Sequence, residues 1–180
     1  MDVSRRHFLA GSAAAAATPP LARAATRSAD EHRAGPDRVA VRLLVNGEQR
    51  EVEIEPRATL LEVLRWQLGL TGPKEVCDRG ACSACTVLVD DKPTLACMTL
   101  AIESEGKAIT TVEGVGTPEN TSRVQMAFVA HDAVQCGYCI PGFVMSIEAA
   151  RRRNPKAGYD ELKASLAGNL CRCGSYSKIF

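Results

Sequence analysis

Four cysteines between Val76 and Cys97 constrain this chain more than any other feature. The stretch VCDRGACSACTVLVDDKPTLAC sets Cys77, Cys82 and Cys85 in a C-x4-C-x2-C run, and Cys97 follows after eleven further residues. That spacing suits a 2Fe–2S cluster. Three thiolates on one short loop reach a rhombic cluster only if the backbone wraps tightly, and the fourth must arrive from a neighbouring element. Gly80, Ala81, Ser83 and Ala84 are small enough to permit the wrap and to leave backbone N–H groups free to point at sulfur. After Cys85, TVLVD reads as a strand and PTLAC as the returning strand that delivers Cys97. A zinc knuckle would show paired C-x-x-C, whereas this run is lopsided; zinc and disulfides remain the competing readings.

Composition bears on that choice. The chain has 180 residues, eight of them cysteine, with a formal charge of +1 and 4% aromatics. Mixed charge gives no sign of a nucleic-acid partner. The N-terminus suggests the compartment. Ser4-Arg5-Arg6-His7-Phe8-Leu9 is a twin-arginine pattern, Gly11 to Ala17 a short alanine-rich apolar run, and Ala22-Arg23-Ala24 a small-x-small cleavage site. Pro19 and Pro20 interrupt the run, which is too short for a membrane span. Residues 1–24 therefore read as a twin-arginine signal, and the chain as a periplasmic protein exported folded. A periplasmic chain could use eight cysteines as disulfides. A chain destined only for disulfides would gain nothing from folding before export, whereas a cluster inserted in the cytoplasm requires it.

Residues 25–37 are polar and read as a linker, with His32 a solvated residue. From Val39 to Ile54 apolar and polar residues alternate in the strand manner around Asn46-Gly47, a strong hairpin signal because both turn residues can take positive φ. Thr59-Leu60-Leu61-Glu62 is a capping box opening a helix, and Leu60, Leu61, Val63, Leu64 and Leu68 give it an apolar stripe to lay on the hairpin. Trp66 is expected to pack at the edge of this unit. AITTV at 108–112 supplies a last strand. The expected order is hairpin, helix, cysteine loop and two more strands, the β-grasp layout of plant-type ferredoxins, over residues 38–112. Residues 113–180 read as helical. Helices are expected over Pro118–Ala130, ended by His131-Asp132, over Gly142–Arg153 and over Tyr159–Asn169. Arg151, Arg152 and Arg153 read as a solvated face at a helix C-terminus. The fold class is thus α+β, an N-terminal β-grasp unit followed by a small helical bundle.

The helical half carries Cys136-Gly137-Tyr138-Cys139 and Cys171-Arg172-Cys173. A C-x-C is tight for a zinc knuckle and strained for bridges to separate helices. Beside the first run it completes two sets of four, leaving no cysteine over. The chain shows no glycine-rich phosphate loop and no nucleophile–base pair, so neither a flavin or nicotinamide site nor a catalytic residue is expected in it.

Taken together, CDRGACSACTV, LACMTLA, QCGYCIPG and GNLCRCGSY resemble the small iron–sulfur subunit of the molybdenum hydroxylases, from about Val39 to the C-terminus. That family includes xanthine dehydrogenases, aldehyde oxidoreductases and N-heterocycle hydroxylases, and with the twin-arginine signal the chain looks most like the periplasmic aldehyde oxidoreductase type. The resemblance implies two 2Fe–2S clusters. Cys77, Cys82, Cys85 and Cys97 would hold the outer one, and Cys136, Cys139, Cys171 and Cys173 the inner one. It implies that Gln135 and Cys173 touch the molybdopterin of a molybdenum-binding large subunit. It also implies an onward acceptor, a FAD-binding subunit or a c-type cytochrome. Residue by residue, Ser83 and Val76 depart from glycines usual in the family. Serine is small enough to keep the loop, and its hydroxyl can hydrogen-bond a cluster sulfur. The competing functions are a free two-cluster electron carrier in the periplasm and a structural module held by zinc or disulfides.

Overall fold

The computed structural model describes residues 37–180. The signal, its cleavage site, His32 and nearly all of the linker lie outside them. Strands β1 (Val39–Val45) and β2 (Glu48–Ile54) form the expected antiparallel hairpin, with Val39 opposite Ile54 and Val45 opposite Glu48. Asn46 and Gly47 take φ of 52° and 82°, the left-handed values that twist the turn correctly. Alternation sends Val41, Leu43, Val45, Val52 and Ile54 inward.

Helix α1 starts at Leu60–Glu62 behind the expected capping box: Glu62 N–H donates to Thr59 Oγ1 at 3.2 Å, and Thr59 N–H to Glu62 Oε2 at 2.7 Å. Its continuation, Val63–Gln67, is a π turn. Leu60, Leu61, Val63 and Leu64 are all buried against the hairpin. Trp66 is not packed, contrary to the sequence expectation. It is 71% exposed, with the Arg65 guanidinium 5.6 Å from its ring. Two residues beyond Leu64, it lies on the opposite face of the turn.

β3 (Thr86–Val89) and β4 (Lys92–Leu95) form a second hairpin, and β5 (Ala108–Thr110) runs parallel to β1 and antiparallel to β3. The sheet order is β2-β1-β5-β3-β4. β4 ends at Leu95, so Cys97 comes from a 3₁₀ turn, Ala96–Met98, rather than from the strand itself. Every residue of β3 is buried. Val87 and Val89 face the α1 side, while Leu88 packs on Met145 and Ala149 of the helical half. Both faces of β3 are therefore covered, which explains its unbroken apolar run.

The helical half holds α2 (Arg123–Ala130), α3 (Ile140–Arg153), α4 (Tyr159–Ser165) and α5 (Tyr176–Ile179). Helix α2 starts five residues later than expected. Pro118 lies in a turn closed by Thr117 and Asn120, and Ser122 with Gln125 forms a second capping box. His131 is the C-cap of α2, as expected. Helix α3 begins earlier than expected, with Cys139 as N-cap and Pro141 in the first turn, where a missing N–H costs nothing. Helix α4 ends earlier, and 3₁₀-type bonds carry the chain on to Asn169. The arginine run is not simply solvated: Arg152 pairs with Asp91 of the β3–β4 turn, and Arg153 lies 3.6 Å from Glu161.

Candidate metal centres

The loop before Cys77 is tied down from three sides. Arg65 donates through Nη1 to the carbonyls of Thr71 and Pro73 at 3.0 and 2.8 Å. Glu113 accepts the Gly72 N–H at 2.6 Å and the Thr111 hydroxyl at 2.6 Å. Asn46 closes the network, accepting the Thr111 N–H at 2.9 Å and donating to Thr111 Oγ1 at 3.0 Å. Within the loop Asp78, Gly80 and Ser83 have φ of 49°, 72° and 57°. Such left-handed steps tighten the wrap that the cysteine spacing requires.

The thiols stand in twos. In the sheet half Cys77 lies near enough to Cys82, and Cys85 to Cys97, for each to perturb the other's ionisation; in the helical half the same holds for Cys136 with Cys173 and Cys139 with Cys171. Backbone N–H groups also face sulfur: Ala81 N lies 3.3 Å from Cys77 Sγ, and Ser175 N 3.4 Å from Cys171 Sγ. The N–H of Arg79, helped by the Cys82 thiol, brings Cys77 down to about 7. Burial opposes ionisation of Cys171, yet the Ser175 N–H and the Cys139 thiol outweigh it and bring that thiol to about 7. Burial pushes Cys85 and Cys139 up to about 12. Among the described residues no three side chains of His, Cys, Asp or Glu converge as ligands of a single ion. Four neighbouring thiols in each half, with amides aimed at sulfur, are a donor set that would fit a two-iron cluster.

The two sets are adjacent. Cys77, Cys82, Cys136, Cys139 and Cys171 all line one cavity of about 550 Å³. The Leu170 N–H donates to the Cys82 carbonyl at 3.2 Å, so a backbone hydrogen bond joins a cysteine of one set to the residue preceding Cys171 of the other. Tyr138 Oη reaches the Glu75 carbonyl at 3.4 Å, and Lys74 Nζ lies 5.6 Å from the Tyr138 ring. Cys136 and Cys173 are exposed, and Gln135 beside them is exposed too. Sequence reasoning missed Tyr176. Its hydroxyl accepts the Cys171 N–H at 2.7 Å, while its ring meets Phe143 edge-on at 6.2 Å and stacks on Phe180 at 5.8 Å. The GSY ending of the last cysteine motif was its only signal.

Comparison with known proteins agrees with this arrangement. Residues 43–105 match the family described as 2Fe-2S iron-sulfur cluster binding domain, and residues 111–180 that described as [2Fe-2S] binding domain. The aldehyde oxidoreductase iron-sulfur-binding subunit PaoA of Escherichia coli (strain K12) is 38% identical, over 99% of this chain and 86% of its own length. The chain belongs to the small iron–sulfur subunits of the molybdenum hydroxylases. Another such small subunit, the nicotinate dehydrogenase small FeS subunit of Eubacterium barkeri, is 40% identical over 79% of this chain and 91% of its own. Among solved structures, quinoline 2-oxidoreductase from Pseudomonas putida 86 superposes with a TM-score of 0.76 at 38% identity, covering 79% of this chain and 88% of that one. The resemblance read from the motifs, the α+β class and the two 2Fe–2S modules are thereby borne out. Residues 2–19 match the TAT (twin-arginine translocation) pathway signal sequence, which marks this small subunit for export in the folded state to the periplasm. No helix among the described residues is long and apolar enough to cross a membrane.

Proposed function

We propose that this chain carries electrons out of a molybdenum-cofactor-binding large subunit that oxidises an aldehyde or an N-heterocycle. Cys77, Cys82, Cys85 and Cys97 hold the outer 2Fe–2S cluster, and Cys136, Cys139, Cys171 and Cys173 the inner one. Each cluster supplies a one-electron redox centre, so a two-electron oxidation is divided into single steps. The chain's own residues do the rest. The amides facing Cys77 and Cys171 favour their thiolates, and the Leu170–Cys82 hydrogen bond gives the two sets a short covalent and hydrogen-bonded link. Exposed Gln135 and Cys173 face outward for the pterin of the large subunit. The onward acceptor is a FAD-binding subunit or a c-type cytochrome. The same reading divides the mature chain at 112/113 into a ferredoxin-type domain and a helical cluster domain.

The observation that carries this reading is that cysteines of both sets line one cavity, with backbone amides aimed at Cys77 in one set and Cys171 in the other. Cys85→Ser should remove one 2Fe–2S spectrum and leave the other intact. Loss of both together, or of neither, contradicts the assignment. Gln135→Ala should leave both clusters normal while weakening association with the large subunit or slowing electron uptake; no change in either removes the pterin contact.

A further inference from the structure

Two glycines in the second pair of cysteine motifs, the last of QCGYCIPG and the first of GNLCRCGSY, have no part in holding metal. Their surroundings show why they are small. Gly142 lies in the first turn of α3, where glycine is the poorest helix former after proline. A Cβ built there would stand 2.2 Å from the Ser83 carbonyl oxygen, 3.0 Å from Ala84 Cα and 3.1 Å from the Ser83 carbonyl carbon. A Cβ on Gly168 would stand 3.1 Å from Ser83 Oγ. Both glycines thus face the Cys82–Cys85 segment of the other cysteine set. Ser83 itself is held firmly. It sits at φ 57°, and its carbonyl accepts the Thr86 hydroxyl at 2.7 Å and the Thr86 N–H at 3.3 Å. The Leu170–Cys82 hydrogen bond forms beside this contact, two residues beyond Gly168.

We propose that Gly142 and Gly168 are positioning residues for electron transfer, a glycine seat in which Gly142 receives the Ser83-Ala84 backbone and Gly168 the Ser83 side chain, so that the two cysteine loops meet closely. The proposal rests on the two-cluster reading above. Each glycine has a different partner, and that difference makes the seat testable. At Gly142 the obstruction is backbone, which cannot rotate away; a methyl group there must part the two loops by roughly 1 Å to restore ordinary contact. At Gly168 the obstruction is one hydroxyl. The Ser83 side chain can yield a few tenths of an ångström, so a methyl there has a smaller effect. The Ser83 hydroxyl is therefore turned toward the helical half, in addition to any bond it makes to sulfur.

The test is the magnetic interaction between the two reduced clusters, read as splitting of their electron paramagnetic resonance lines in the intact multi-subunit enzyme. Dipolar splitting falls with the cube of separation and is insensitive to stability as such. Gly142→Ala should keep both cluster signals but reduce the splitting clearly. Gly168→Ala should reduce it less, and Ser83→Gly added to Gly168→Ala should restore it, while Ser83→Gly added to Gly142→Ala should not. Unchanged splitting in Gly142→Ala, or a Gly168→Ala effect that Ser83→Gly does not reverse, would overturn the seat. If Gly142→Ala fails to load clusters, the Gly168 and Ser83 pair alone decides. Absence of two cluster signals in the unaltered enzyme would refute the two-cluster reading itself, and the seat with it.

Discussion

Tyr176→Phe removes a single oxygen and isolates one support of the second cysteine set. The phenyl ring keeps its edge-to-face contact with Phe143 and its stacking on Phe180, so aromatic packing is conserved. What disappears is the acceptor for the Cys171 N–H, now satisfied at 2.7 Å, on a cysteine only 8% exposed. Leaving a buried donor without a partner costs about 1–3 kcal/mol. If the loop from Cys171 to Tyr176 opens locally before iron is lost, that cost raises the open population by about 5- to 150-fold. The assay is bleaching by an excess of iron chelator, with the two clusters followed separately by their paramagnetic resonance signals. When reclosing is fast, the rate tracks the open population. The inner signal should therefore decay faster by a factor in that range, while the outer signal decays at the unaltered rate. Equal inner decay in variant and parent would refute the reasoning, as would acceleration of both clusters together.

Other consequences follow from the same contacts. Asn46→Ala loses both bonds to buried Thr111 and places alanine at φ 52°. The losses of about 1–3 kcal/mol for the orphaned donor and about 1–2 kcal/mol for the left-handed residue should lower the thermal midpoint measurably. Asn46→Gly should lose only the first, and an equal loss in both variants would contradict the strain argument. In the cluster-free protein, a pH of about 8 lies about one unit above the Cys77 pKa of about 7 and far below the Cys85 pKa of about 12, so Cys77 is mostly thiolate and Cys85 thiol. Alkylation followed by mass spectrometry should accordingly modify Cys77 before Cys85, since the thiolate is the nucleophile; prior modification of Cys85 would reverse the assignment. Trp66→Ser should change stability by no more than about 0.5 kcal/mol, because the ring is 71% exposed, and a large fall in the thermal midpoint would show that the ring is packed after all.

Much of the fold was legible where one residue type has one physical use. Asn46-Gly47 and Thr59 with Glu62 appear as the turn and the cap that their chemistry implies. The start of α2 was misplaced: Pro118 reads as its N-terminal signal, whereas the capping box of Ser122 and Gln125 starts the helix at Arg123. The π turn at Val63–Gln67 has no sequence signature, and Arg65 within it bonds the carbonyls of Thr71 and Pro73, partners that lie beyond the turn. Arg152 could be placed on a helix end, yet its partner Asp91 is 61 positions away and becomes a neighbour only when β3 docks on α3. The cysteine sets themselves stood out by spacing. Their adjacency did not, because it shows only where Gly142 and Leu170 meet the Cys82–Ala84 backbone, and Gly168 the Ser83 hydroxyl, across the boundary between sheet and helices.

The central claim is that eight thiols hold two 2Fe–2S clusters in the service of a molybdenum partner. Metal analysis of the chain, tagged and isolated from its native cells with whatever accompanies it, tests this most directly. The account predicts about four irons per chain, together with co-purifying molybdenum. Zinc in place of iron, or full iron with no molybdenum in any preparation, would contradict it.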